Sequence, residues 1–230
     1  MKIYIPWLSA ILVLIILSSC RNDNATPIRN VRFDPGLLNP VRAADAPCTF
    51  YNYYTNAQSK ALGAVYSKMV LVSFAEGYTH EQALATAGGY GFVEKLGQAV
   101  ESNSARLYPV QLVDGLNCKQ VEQAIRELEK DAGIAYAAPY FLATDNGNAQ
   151  LLGLTNEFRV TIGEGKEAGM LLTRLANATN TTIVAAVSED TYLLKTDKNS
   201  RGNALQMANH FKEQAIVAHA EPKFVVSPEM

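Results

Sequence analysis

The stretch Ile216–Val225, read as Ile-Val-Ala-His-Ala-Glu-Pro-Lys-Phe-Val, decides how this chain is organised. It has an earlier echo in Ile134–Leu142, read as Ile-Ala-Tyr-Ala-Ala-Pro-Tyr-Phe-Leu. Both are strands of small and apolar residues that run into a proline and an aromatic ring. Pro139 and Pro222 lie 83 positions apart, about the length of one small domain, so the chain reads as one module written twice.

Outward from the first ending, the pattern predicts a complete unit over residues 67–144. Met69–Phe74 is β-branched enough for a strand. Thr79 and Gln82 form a capping box that opens a helix through Ala83, Leu84 and Ala87, stopped by Gly88-Gly89. Tyr90–Leu96 and Ala105–Val113 read as a hairpin around Glu101-Ser102-Asn103-Ser104. Asn117 and Gln120 open a second helix whose apolar face is Val121, Ala124, Ile125 and Leu128, closed by Gly133.

After a polar linker at 145–155, residues 156–226 repeat the order. Phe158–Ile162 alternates as a half-buried strand, and Ala168, Leu171, Leu172, Leu175 and Ala176 follow helical spacing. Thr182–Val187 and Thr191–Thr196 make a hairpin around Glu189-Asp190, and Leu205, Ala208 and Phe211 face inward from a last helix. The repeated β-α-β-β-α-β order predicts an α+β fold: two tandem ferredoxin-like modules, each an antiparallel sheet with helices on one face. The bare face of the second module carries Arg159 and Thr161, which suit water. That of the first carries Met69 and Leu71, which predicts that it is covered.

Residues 1–19 read as a targeting segment: Lys2, then an apolar run from Trp7 to Leu17 too short to span a bilayer comfortably, then Ser18-Ser19-Cys20. Leu17-Ser18-Ser19-Cys20 resembles the lipobox of bacterial lipoproteins. That resemblance implies cleavage before Cys20, its lipidation, and a protein anchored by lipid in the bacterial cell envelope. Residues 20–66, broken by Pro27, Pro35, Pro40 and Pro47, read as a tether whose aromatic end at Phe50–Tyr54 docks on the first module or on a partner. Cys48 and Cys118 either bridge, as an oxidising envelope permits, or stay separate thiols; nothing in the spacing decides.

A net charge of −2 gives no reason to expect nucleic acid or an anionic membrane surface as partner. His80, His210 and His219 have no metal-ligand spacing, and Gly163-Glu164-Gly165-Lys166 lacks the spacing of a phosphate loop. Glu189-Asp190 and the pair Glu127 and Glu129 read as surface charges rather than a catalytic pair. The expectation is a protein without enzymatic activity, cofactor or metal.

The endings Ala137-Ala138-Pro139-Tyr140 and Ala220-Glu221-Pro222-Lys223-Phe224 resemble the Ala-Glu-Pro-Asn-Tyr ending of subtilisin-family propeptides, particularly the fervidolysin-like prodomain. Ala138 stands where that family has Glu, and Lys223 where it has Asn. The resemblance implies a ferredoxin-like prodomain that docks by its bare sheet face on a subtilisin-type serine protease, as inhibitor or folding chaperone. It further implies that the segment after the motif lies in the active-site cleft: Glu221, Pro222, Phe224, Val225, Val226, Ser227, Pro228, Glu229 and Met230, with residues 227–230 as a short tail. The protease's own catalytic motifs are absent from the sequence. The same endings fit the front part of a severed protease precursor, or a surface lipoprotein that binds another protein with no protease role.

Overall fold

The computed structural model describes residues 47–55, 58–145, 148–165 and 167–227. Along the chain come β1 (Tyr51–Thr55), β2 (Gln58–Gly63), β3 (Val65–Phe74), α1 (His80–Gly88), β4 (Val93–Leu96), β5 (Val100–Glu101), β6 (Arg106–Leu112), α2 (Cys118–Glu129) and β7 (Ile134–Asp145). They are followed by β8 (Asn148–Ile162), α3 (Ala168–Thr179), β9 (Thr182–Ala186), β10 (Thr191–Lys195), α4 (Ala204–Lys212) and β11 (Val217–Ser227). Local chemistry starts the helices where expected. Thr79 with Gln82 and Asn117 with Gln120 form both bonds of their capping boxes, and Asn203 with Gln206 adds a third. Each cap satisfies amide groups that a helix leaves bare, a contribution of about 1 kcal/mol.

Two separate ferredoxin-like modules do not form. The strands merge into one curled, nine-stranded antiparallel sheet in the order β4-β6-β3-β7-β8-β10-β9, with β11 on the other edge of β8 and β5 beside β6. Strand takes up 46% and helix 24% of the described residues, so the chain is mostly β rather than α+β. The reason lies in the segment expected to be a linker. β7 and β8 pair from Tyr140↔Gly153 to Asp145↔Asn148, turning what read as a loop into a hairpin that fuses the halves. Leu151 and Leu154 bury their side chains there, and Gly153 leaves room for the Tyr140 ring, which a Cβ would meet at 2.6 Å.

β8 serves both halves through a local break in its register. Pro222 pairs with Phe158 and Phe224 with Leu154, so Thr155, Asn156 and Glu157 stand opposite Lys223 alone. Such a bulge bends a strand and re-aims its side chains. Past it, β8 and β11 lean over the bare face of the first half (β3–β7). Tyr136 donates its hydroxyl to the Thr155 carbonyl at 2.7 Å, and the Tyr140 hydroxyl meets Ser227 Oγ at 3.3 Å. Met69 and Leu71 are accordingly 5% and 0% exposed.

The end of the tether is a β1–β2 hairpin rather than an irregular lead-in. Cys48 is bonded to Cys118 on α2, closing a separation of 70 residues. The Tyr51 ring packs on Phe141 and the Tyr53 ring on Phe224, at 5.3 and 5.5 Å between centroids. Burial, reinforced by a hydrogen bond to Glu122, pushes the Tyr51 phenol up to about 12. Asn209 on α4 donates to the Asn52 carbonyl at 2.9 Å, so the hairpin touches both halves of the sheet. Phe50 alone of the aromatic group points outward, 78% exposed.

Candidate functional site

Cross-strand register sorts the second half (β8–β11) into two faces, because directly opposed residues project to the same side. Phe158, Leu194 and Pro222 form one row; Val160, Tyr192 and Ala220 form the next. These rows point to the helices, with the Phe158 ring edge-on to Phe211 of α4 at 5.1 Å. The opposite rows are Thr161, Thr191 and His219, and then Arg159, Leu193 and Glu221. Only Leu193 is apolar among them.

This second face is held together by polar contacts. The Thr161 and Thr191 hydroxyls are 3.0 Å apart. Glu221 sits between Arg159 and His219, with Arg159 Nη1 at 3.7 Å from Oε1 and His219 Nε2 at 3.3 Å from Oε2. Thr55 at the end of β1 and Val187 and Ser188 beside β9 rim a shallow depression of about 530 Å³ over these side chains. The Arg159 side chain keeps 45% of its surface in water, so these pairs contribute little to stability. They orient the groups that a partner would meet.

A third row differs sharply. Glu157, opposed to Lys195, has a fully buried side chain. Its carboxylate accepts hydrogen bonds from Lys223 Nζ at 2.8 Å, Asn103 Nδ2 at 3.0 Å and Ser104 Oγ at 2.7 Å. Burial pushes this carboxyl up, but the hydrogen bonds from Lys223, Asn103 and Ser104, with the Lys223 charge, outweigh it and leave the net shift downward. Asn103 and Ser104 belong to the first half, and Glu157 and Lys223 to the second. The cluster is therefore a joint between halves. Nothing in the sequence marks it: Glu157 continues the outward rhythm of Arg159 and Thr161, and the bulge that buries it leaves no local signature.

The structure divides the residues expected to enter a protease cleft. Glu221, Pro222, Phe224, Val225, Val226 and Ser227 all lie in β11, paired with β8 as far as Ser227↔Leu151. Pro222 is buried toward the helices and Phe224 packs on Tyr53, so neither is presented to a partner. Glu221 lies on the open face of the second half, and Val226, paired with Leu152, is 65% exposed. Pro228, Glu229, Met230 and the lipid-attachment candidate Cys20 lie outside the described residues. Lys223, expected to be a departure from the family's ending, turns out to be the partner of Glu157.

The remaining titratable candidates stay apart. His80 stacks on Tyr108 and His210 lies edge-on to Phe211. Asp190 is held low by hydrogen bonds from Ser188 and Thr191 within its turn. Among the described residues no group of histidine, cysteine and carboxylate side chains could hold a metal ion. No described helix is long and apolar enough to cross a membrane. Comparison with protein-family models and with curated proteins gives no match.

Proposed function

We propose that this is an exported, lipid-anchored binding protein without catalytic activity, whose second half docks by its open sheet face on a subtilisin-type serine protease as inhibitor or folding chaperone. The observation that carries the docking is the contrast between equivalent faces. The first half's is buried, whereas on the second half's Arg159 is exposed and Thr161, Thr191, His219 and Glu221 are partly exposed around the buried Leu193. The choice of protease rests on the Ala220-Glu221-Pro222 ending, which aims Glu221 at that face while Ala220 and Pro222 anchor the strand on α4. The bridge between Cys48 and Cys118 suits an oxidising envelope.

The mode of inhibition differs from that of a free tail. Val225, Val226 and Ser227 pair with Gly153, Leu152 and Leu151, so a cleft-filling segment could begin only beyond Ser227 unless β11 left β8. Removing residues 225–230 should therefore lower the melting temperature of the whole chain rather than only abolish inhibition.

The test is a titration of a panel of subtilisin-type proteases with the full chain in detergent, read as residual activity, together with direct binding to each inactivated protease. Binding to at least one member that weakens at least tenfold on Arg159→Glu supports the reading. Binding to a non-protease envelope protein through the same face, with no affinity for any protease, would leave a surface binding lipoprotein in its place.

A further inference from the structure

A separate cavity lies away from the docking face, where the ends of β3 and β10 meet the hairpin of β5 and β6. It encloses about 620 Å³, within the range of small-molecule sites. Phe74, Tyr78 and Tyr108 supply its apolar wall, and Ser104, Asn156 and Lys195 its polar one. Of the carboxylates that also line it, Glu101 is paired with Arg106, Asp197 accepts from the Asn199 amide, and Glu76 is exposed to water.

The polar wall has a fixed sense. The Glu157 carboxylate only accepts, so Ser104, 2.7 Å from it, must donate its hydroxyl hydrogen there. Ser104 Oγ can then only accept from Asn156, whose Nδ2 lies 3.2 Å away. That fixes the Asn156 amide against a flip and leaves Oδ1 as an acceptor with no partner among the described residues. Asn156 is 4% exposed, and bulk water does not satisfy that oxygen. Lys195 borders it, since the Thr196 amide donates to the Asn156 carbonyl at 2.8 Å. The Lys195 ammonium has no ion pair or hydrogen bond among the described residues, whereas Arg106 at the rim is held by Glu101 at 2.7 Å.

We infer that this cleft binds the carboxyl end of an apolar amino acid or peptide, with the carboxylate on Lys195, an N–H group aimed at Asn156 and the side chain against Phe74 and Tyr108. A bare acceptor beside an unpaired cation asks for a ligand that carries a donor and a negative charge close together. A free amino acid and a peptide C-terminus share that chemistry.

The test titrates the full chain in detergent with phenylalanine, N-acetylphenylalanine, a tripeptide ending in phenylalanine, and the C-terminal amide of each, followed by calorimetry. At least one acid should bind at millimolar concentration or tighter, and its amide should bind at least tenfold more weakly. Preference for the tripeptide identifies a peptide end as the ligand, and preference for phenylalanine a free amino acid. Lys195→Met should repeat the amide's loss in a protein whose melting temperature is unchanged. Equal binding of acid and amide, absence of binding by every acid, or full affinity in the Lys195→Met protein would overturn the inference.

Discussion

The two halves of this sheet are built from the same succession of elements, yet their equivalent faces meet opposite fates. In the first half Leu71 lies across from Ala138, both wholly buried beneath β8 and β11. At the matching place in the second half Arg159 lies across from Glu221, both in contact with water. The single difference between Ala137-Ala138-Pro139 and Ala220-Glu221-Pro222 thus has a physical cause. A carboxylate can stand on an open face, but on a covered one it would be an unpaired buried charge. In the proposed function, the covered half is the scaffold and the open half the binding surface.

The comparison can be broken hardest at Ala138. Ala138→Glu, which restores the propeptide-like ending in the first half, should cost about 4 kcal/mol or more, because among the described residues no lysine or arginine is buried to pair with it. A two-state denaturation in urea that shows a loss below about 1 kcal/mol would mean that the face opens readily. Nearly as large is the loss expected on replacing Cys48 by Ser. The bridge closes a separation of 70 residues, and chain-entropy reasoning gives about 4 kcal/mol, read as a melting shift that a reductant reproduces in the parent protein.

Lys223→Met attacks the joint between the halves by leaving the Glu157 carboxylate buried beside two neutral donors. The expected cost is about 2 kcal/mol, below that of a fully buried pair because the Lys223 side chain is 32% exposed. The same joint predicts an acid limb. The folded-state pKa of Glu157 lies below its unfolded value, so its contribution is present above the unfolded pKa and fades as pH falls through the folded one. Glu157→Gln should flatten the stability profile in that acid range, and an unaltered slope would contradict the assignment. The smallest change in stability belongs to Glu221→Ala. It should stay within about 0.5 kcal/mol, since exposed ion pairs contribute little, while weakening partner binding.

Much of the local structure was legible in the sequence. The capping boxes at Thr79 and Asn117 and the turn at Glu189-Asp190 follow from short-range chemistry and appear where expected, whereas Pro139 and Pro222 lie inside strands that run on to Asp145 and Ser227. The assembly of strands was not legible. Asn148-Ala149-Gln150 together with Gly153 carries loop-forming residues, yet these sit in a paired strand because Leu151 and Leu154 gain burial and Gly153 admits the Tyr140 ring. Burial across a fused sheet overrides local turn preference, and no window of a few residues contains it. Glu157 was hidden for a related reason. Its partners Asn103 and Ser104 lie more than 50 positions earlier, and only the bulge in β8 brings them together.

Charge reversal on the open face tests the division between scaffold and binding surface most directly. Binding of the full chain to inactivated subtilisin-type proteases would be measured for the parent and for Arg159→Glu, alongside the melting temperature of each. The division predicts a partner whose affinity falls at least tenfold in Arg159→Glu while the melting temperature hardly moves. A partner bound equally well by both proteins would contradict it and place the binding surface elsewhere on the molecule.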